Sequence, residues 1–187
     1  QNITICGCRM VNGYVGILEL SKNYPDKIVL ARFKLERKKD MDFKLITSSD
    51  IMWSDVRDYA KNCSWRAGKS LADAMDNNLF EEWERVVFVL DNHKICGYCT
   101  VAKTDCIPGL HYTPYIGYLF VGEEYRGNWL GEKMIQYSMD YLKSVGFDRV
   151  YLVSDHENLY EKYGFKVIDK KPAPWGAVEK IYMKRIV

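Results

Sequence analysis

The order of apolar runs along this chain of 187 residues predicts an α/β fold. From Phe43 onward, short β-type runs alternate with stretches of helical periodicity, which is the pattern of strands and helices packed in layers. The segment from Asn128 to Val145 carries an apolar stripe at helical spacing and predicts the longest helix. The length suits one domain with a small appendage and is sufficient to bury a core.

The first 39 residues differ in character from the rest and predict a strand-rich extension. Turn signals separate three short runs of strand-forming residues, at Ile3–Cys6, Gly13–Leu20 and Ile28–Leu35. The charged stretch Glu36–Asp40 reads as an exposed connector. We therefore expect an extension over residues 1–39 and a main domain over residues 40–187.

The main domain is predicted element by element from apolar periodicity and turn residues. Strands are expected at Phe43–Ile46, Val86–Leu90, Ile95–Ala102, Tyr115–Val121, Arg149–Ser154, Lys166–Asp169 and Val178–Ile186. Helices are expected at Asp50–Lys61 with Ser48 or Ser49 as its cap, Lys69–Met75, Asn128–Val145 and Asn158–Tyr163. The second and third strands flank a short polar turn and should form a hairpin.

Composition excludes several classes of protein. With 27 basic and 25 acidic residues the net charge is +2, which gives no electrostatic footprint for a nucleic-acid partner. An apolar content of 48% argues against disorder, and the apolar runs are too short for a membrane span. Six cysteines are too few for a disulfide scaffold, and no basic-then-apolar leader is present, so a cytoplasmic location is expected.

The most informative stretch joins the strand at Tyr115–Val121 to the long helix through a turn rich in Arg and Gly. The start of a helix presents unpaired N–H groups and the positive end of the helix dipole. Gly127 and Gly131 allow a ligand to approach the backbone closely, and Arg126 adds a cation. This turn is therefore suited to a pyrophosphate, although a strand–turn–helix without a ligand would look the same.

Two motifs at this spacing resemble the GNAT superfamily of acyltransferases. Arg126 and Gly131 match the first and last positions of its acyl-coenzyme A loop, Gln/Arg-x-x-Gly-x-Gly/Ala, with Trp129 in place of the middle Gly. Gly127 matches the Arg-Gly pair that is frequent in this loop. The segment Leu159–Phe165 is similar to the family's Leu-Tyr-Glu-Lys-x-Gly-Phe signature. The resemblance implies a mixed, largely antiparallel sheet of six or seven strands with about four helices, in which two strands splay apart at the cofactor site.

The same resemblance implies transfer of an acetyl group from acetyl-coenzyme A (acetyl-CoA) to a primary amine by direct attack. The splayed pair would be the strands at Tyr115–Val121 and Arg149–Ser154, with the N–H near Val121 as the oxyanion donor and Tyr160 as the acid for the leaving thiolate. Cofactor contacts are expected from the strand end and the loop: Leu119, Phe120, Val121, Arg126, Gly127, Asn128, Trp129, Leu130 and Gly131. An aromatic acceptor pocket is expected from Trp65, His111, Tyr112, Tyr115 and Trp175.

The general base is not identified from the sequence. Some members of the family place Glu four residues before the position of Val121, but here that residue is Gly117. The candidates are Asp155, His156 and Glu157, which precede Tyr160, together with His111 and a chain of water molecules.

Two other functions, an acyl-coenzyme A binder and a zinc module, stay open at this stage, and the sequence argues against a third, an NTPase. A non-catalytic acyl-coenzyme A binder is favoured by Trp129 and the missing Glu. A zinc module built on Cys6, Cys8, Cys96 and Cys99 is disfavoured because an offset of three along one strand should point Cys96 and Cys99 to opposite faces, and we predict no metal site. Gly-Lys-Ser at 68–70 ends like a P-loop but lacks the upstream Gly.

Overall fold

The computed structural model describes residues 14–20, 31–37 and 41–186, and for the first two ranges only the backbone. The chain divides into two compact units, Gln1–Asp40 and Met41–Val187. In the first unit, β1 (Tyr14–Leu20) pairs antiparallel with β2 (Ala31–Arg37), in register from Tyr14 opposite Arg37 to Leu20 opposite Ala31. The predicted strand at Ile3–Cys6 lies outside the described residues.

The second unit is built on a seven-stranded mixed sheet of order β3-β4-β5-β6-β7-β9-β8. Its strands are β3 (Met41–Ile46), β4 (Arg85–Asp91), β5 (Lys94–Ala102), β6 (Tyr115–Val121), β7 (Arg149–Ser154), β8 (Lys166–Pro172) and β9 (Val178–Arg185). All neighbours run antiparallel except β6 and β7, which are parallel. The predicted fold class, a mixed and largely antiparallel sheet, is confirmed.

Three α-helices lie in residues 41–186: α1 (Trp53–Asn62), α2 (Ala67–Asp76) and α3 (Leu130–Ser144). Neither Ser48 nor Ser49 caps α1, because the chain first makes a turn in which the Asp50 carboxylate accepts hydrogen bonds from Thr47. The short helix expected at Asn158–Tyr163 is a series of turns instead. The N–H groups of Tyr163 and Gly164 donate to the carbonyls three residues before them, and Gly164, with a left-handed φ of 85°, ends the segment before an α-helix is established.

The helices cover both faces of the sheet, and this explains why its central strands are apolar throughout. Along β4, Val87 and Val89 face the cluster under α3, whereas Val86 and Phe88 face the cluster under α1 and α2. A strand buried on both faces reads as a continuous apolar run rather than an alternating one. The sheet therefore forms the middle layer of three.

Two β-bulges interrupt the central strands. On β5 the register shifts between the pairs Val89–Gly97 and Leu90–Ile95, which leaves Cys96 as the extra residue. This bulge puts Cys96 and Cys99 in the same core cluster, so the prediction that they point to opposite faces is wrong.

The second bulge lies on β6 and affects the strand next to the parallel neighbour β7. The pairs with β5 shift between Tyr98–Phe120 and Thr100–Gly117, and Tyr118 takes a left-handed φ of 48°. A bulge bends its strand and increases its twist. It therefore helps β6 to turn away from β7.

Candidate active site

The strands β6 and β7 touch at one end only and then separate. Their single paired register is Tyr115 opposite Tyr151, where the N–H of Tyr151 donates to the carbonyl of Pro114 at 2.9 Å. Beyond it, a cleft of about 1360 Å³ opens between the two strands, bordered by the start of α3 and the α1–α2 connection. The predicted splayed pair is thus present, and a cleft of this kind is where an elongated ligand would lie.

The N-terminus of α3 opens into this cleft without a side-chain cap. Trp129 is the cap residue with φ 59° and ψ 18°, and no side chain accepts from the amides of the first turn. Gly127 also has a positive φ, 77°, and open space around its α-carbon. The residues present therefore fit a pyrophosphate, because the first-turn amides from Leu130 onward supply unsatisfied donors at the positive end of the helix.

Arg126 lies beside these amides. Its Nε donates to the carbonyl of Val121 at 3.1 Å, its guanidinium pairs with Glu123 at 3.1 Å, and it lies over the ring of Phe120. The Glu123 carboxylate also accepts from Ser64 across the cleft mouth. These contacts hold the guanidinium at the rim of the cleft.

Of the nine residues predicted to bind the cofactor, eight line the cleft, and Asn128 does not. The Asn128 amide donates to the carbonyls of Arg126 and Tyr125, so it shapes the turn instead. Trp129 lies at the cleft with 64% of its surface exposed, which rules out burial between helix and sheet. The backbone of Trp129 is left-handed, a conformation that glycine adopts readily, and this explains why the family motif has Gly at this position.

Two hydrogen-bond donors face the middle of the cleft. The N–H of Gly122 donates to Cys96 on β5, and successive strand amides point to opposite sides, so the N–H of Val121 points toward the gap. Tyr160 lines the cleft from the other side with 8% exposure. Burial raises its pKa to about 12, so the phenol keeps its proton at neutral pH.

Of the five residues predicted for the acceptor pocket, only Trp65 and Trp175 line the cleft. Trp65 stacks on Phe120 at a centroid distance of 6.4 Å. The Trp175 indole donates to the nearly buried carboxylate of Glu179 at 3.3 Å.

The other three members of the predicted pocket lie outside the cleft. His111 is exposed, and Tyr112 stacks on Tyr151. Tyr115 is buried with its hydroxyl unsatisfied and borders a smaller cavity of about 320 Å³.

Asp105 is a cleft residue that sequence reasoning missed. It lies in the irregular connection between β5 and β6, and the backbone N–H of Cys106 donates to its Oδ1 at 2.7 Å. Burial raises its pKa to about 6, and the nearby Glu179 acts in the same direction. No periodicity or motif marks this residue, so the sequence carries no signal for it.

Residues 51–165 match the model of the "Acetyltransferase (GNAT) family". The chain belongs to the GNAT family. This match covers more than half of the chain and confirms the resemblance read from the two sequence motifs.

One curated relative is N-alpha-acetyltransferase 30 of Schizosaccharomyces pombe, which is 32% identical over 90 residues. The alignment covers 45% of this chain and 59% of the relative, so the chain spans less than two thirds of that protein.

Solved structures share the fold at lower identity. The aminoglycoside 6'-N-acetyltransferase from Enterococcus faecium superposes with a TM-score of 0.60 at 17% identity, covering 78% of this chain and 97% of that chain. A GNAT family N-acetyltransferase from Escherichia coli in complex with CoA gives 0.58 at 18%, covering 79% and 82%. GNAT acetyltransferases use acetyl-CoA, which supports the predicted cofactor.

Within residues 14–20, 31–37 and 41–186, none of the helices is both long and apolar enough to cross a membrane. No group of three or more His, Cys, Asp or Glu side chains in that part of the chain is placed to hold a metal ion.

Proposed function

We propose that this protein transfers the acetyl group of acetyl-CoA to a primary amine of a small molecule or peptide. The proposal rests on the cleft between β6 and β7, because an uncapped helix N-terminus and a buried phenol both line this cleft in a chain of the GNAT family. The bound cofactor supplies an activated acetyl thioester. The protein binds it, orients it and moves two protons.

The phosphate end of the cofactor is held by the first-turn amides of α3 and by Arg126. Backbone amides at a helix N-terminus and a flexible guanidinium are both suited to a pyrophosphate. Arg126 exchanges its contacts with Val121 and Glu123 for contacts with phosphate oxygens. The freed carbonyl of Val121 then becomes available to the pantetheine arm.

The reacting end lies between Val121 and Tyr160. The N–H of Val121 donates to the carbonyl oxygen as negative charge develops on it, which is the role of an oxyanion hole. Tyr160 holds a proton to give to the departing sulfur, and its raised pKa keeps that proton available up to high pH. The side chain of Ser154 interacts with the Tyr160 hydroxyl and partly offsets the increase in pKa that burial causes.

The acceptor enters at the end lined by Trp65 and Trp175. Two carboxylates, Asp105 and Glu179, face this end. Acidic groups beside aromatic rings favour a cationic amine over an anionic acceptor. A cytoplasmic location is part of the same proposal and rests on the cysteine count.

The test is a thiol-release screen with acetyl-CoA against small amines, polyamines, amino acids and peptides, paired with thermal melts. Acetyl-CoA at 100 times its dissociation constant should add about 2.7 kcal/mol to the unfolding free energy. Arg126→Gln should weaken binding about tenfold or more, because it removes a charged donor to phosphate. Arg57→Gln removes an arginine of α1 that pairs with Asp76 away from the cleft, and should leave the affinity unchanged.

A protein that binds acetyl-CoA but releases no thiol with any amine would support the second candidate, a non-catalytic acyl-CoA binder. Trp129 at the cofactor loop is the observation that favours it. Absence of binding at millimolar acetyl-CoA would contradict both functions.

A further inference from the structure

The cleft lacks a base at the position that some members of the family use, and the carboxylate of another residue lies beside this position. An ideal β-carbon placed on Gly117 would lie 3.2 Å from Oγ1 of Thr100, 3.4 Å from Oδ2 of Asp105 and 3.6 Å from Cγ of Asp105. The carboxylate therefore lies where a side chain of residue 117 would begin to project. It reaches this place from the β5–β6 connection rather than from β6.

From this juxtaposition, and resting on the proposed function, we propose that Asp105 is the general base that accepts the proton of the attacking amine. The nitrogen forms a bond to the acetyl carbon while the carbon–sulfur bond breaks. The proton lost by the nitrogen goes to the Asp105 carboxylate, directly or through one water, and Tyr160 protonates the sulfur. The products are the acetylated amine and free coenzyme A, and exchange with solvent resets both residues.

The surroundings of Asp105 suit this role. The ionisable groups that face it are the thiol of Cys106, the carboxyl of Glu179 and the phenols of Tyr115, Tyr118 and Tyr160. The phenols and the thiol are neutral at physiological pH, and Glu179 raises the proton affinity of Asp105. With a pKa of about 6, the carboxyl is ionised at neutral pH yet is a stronger base than an ordinary aspartate.

The main rival among the residues near Tyr160 is His156. Its ring stacks near that of Tyr160 at 6.4 Å, and its Nδ1 lies 3.7 Å from the Asp155 carboxylate. Its side chain is 63% exposed, so it can exchange a proton with solvent. Because imidazole is a common general base, variants must separate His156 from Asp105.

The experiment measures kcat/KM against pH for wild type, Asp105→Asn and His156→Asn, using the best acceptor from the amine screen. Asn keeps an oxygen for the N–H of Cys106, so the loop contact is retained. We expect Asp105→Asn to lower kcat about 10²-fold or more. The decrease of kcat/KM below about pH 6, which is the acidic limb of the profile, should be absent in this variant. His156→Asn should retain that limb, and both variants should keep the stabilisation by acetyl-CoA.

A second readout needs no turnover. The carboxyl carbon of Asp105, followed by NMR in the wild-type protein without ligand, should titrate near pH 6 rather than near 4. In Glu179→Gln the midpoint should fall, because a neighbouring negative charge has been removed.

Three outcomes would overturn the assignment. They are an Asp105→Asn enzyme within threefold of wild type, an acidic limb that disappears with His156 instead, and an ordinary midpoint for the Asp105 carboxyl. If wild type itself acetylates no amine, the proposed function fails, and the assignment fails with it. If wild type acetylates an amine and Asp105→Asn does so equally well, only the assignment of Asp105 as general base fails, and the proposed function stands.

Discussion

Replacing Asp105 by Asn should make the protein more stable at neutral pH and should change how its stability depends on pH. Burial raises the pKa of this carboxyl from 3.8 to about 6, so the folded state holds its proton more tightly than the unfolded state. Between these values the folded protein binds more protons, and the unfolding free energy therefore falls as pH rises. One pKa unit corresponds to about 1.4 kcal/mol, so the whole window contributes about 3 kcal/mol.

Urea denaturation of wild type and Asp105→Asn over this pH range isolates the contribution, because other groups titrate alike in both proteins. The advantage of the variant should grow from low pH to neutral pH by about 2 to 3 kcal/mol. Asp73→Asn, at an exposed aspartate of α2, is the matched control for the same substitution at the protein surface. A pH-independent difference for Asp105→Asn, or one of opposite slope, would refute the burial of this carboxyl in the cleft.

Three further substitutions test the site and its support. Tyr160→Phe should lower kcat about 10²-fold with little change in acetyl-CoA affinity. The control Tyr163→Phe, in the same turn, should keep the turnover of wild type. If the kcat of Tyr160→Phe is within threefold of wild type, the Tyr160 phenol has no part in the mechanism. Trp129→Gly should have a free energy of unfolding in urea within about 1 kcal/mol of wild type, because the indole is largely exposed and the left-handed backbone favours Gly. A loss above about 2 kcal/mol would show that the indole packs against the rest of the protein. Gly68→Ala should lower the free energy of unfolding by more than about 2 kcal/mol, because the new β-carbon would lie 2.2 Å from the carbonyl oxygen of Ala60. An unchanged urea midpoint would contradict this close contact.

The fold was predictable because its signals are periodic and local. The strand at Tyr115–Val121 and that at Arg149–Ser154 have the predicted bounds, and α3 lies within the predicted helix. Periodicity does not report where an extra residue enters a strand, which is why the bulge at Cys96 was missed. It also overestimates short helices, as at 158–163, where the chain forms consecutive turns instead.

The site was predictable where a motif carries it and not elsewhere. The residues from Arg126 to Gly131, and Tyr160, are close in sequence to a recognisable pattern, and all but Asn128 line the cleft. Which of the aromatic residues predicted for the acceptor pocket reach the cleft depends on how loops fold over the sheet. Trp65 and Trp175 line the cleft, but sequence order does not separate them from Tyr115, which packs inward. Asp105 gains its properties only from tertiary burial.

The most direct test of the account is transfer of a labelled acetyl group. Wild type is incubated with acetyl-CoA carrying a ¹³C-acetyl group and the amine panel, and the mixture is analysed by mass spectrometry. The account predicts that at least one amine gains the labelled acetyl group on nitrogen, in an amount equal to the free thiol released, and that Arg126→Gln needs more acetyl-CoA to reach the same rate. Binding of acetyl-CoA with no labelled amine, or thiol release that yields only free acetate, would contradict it.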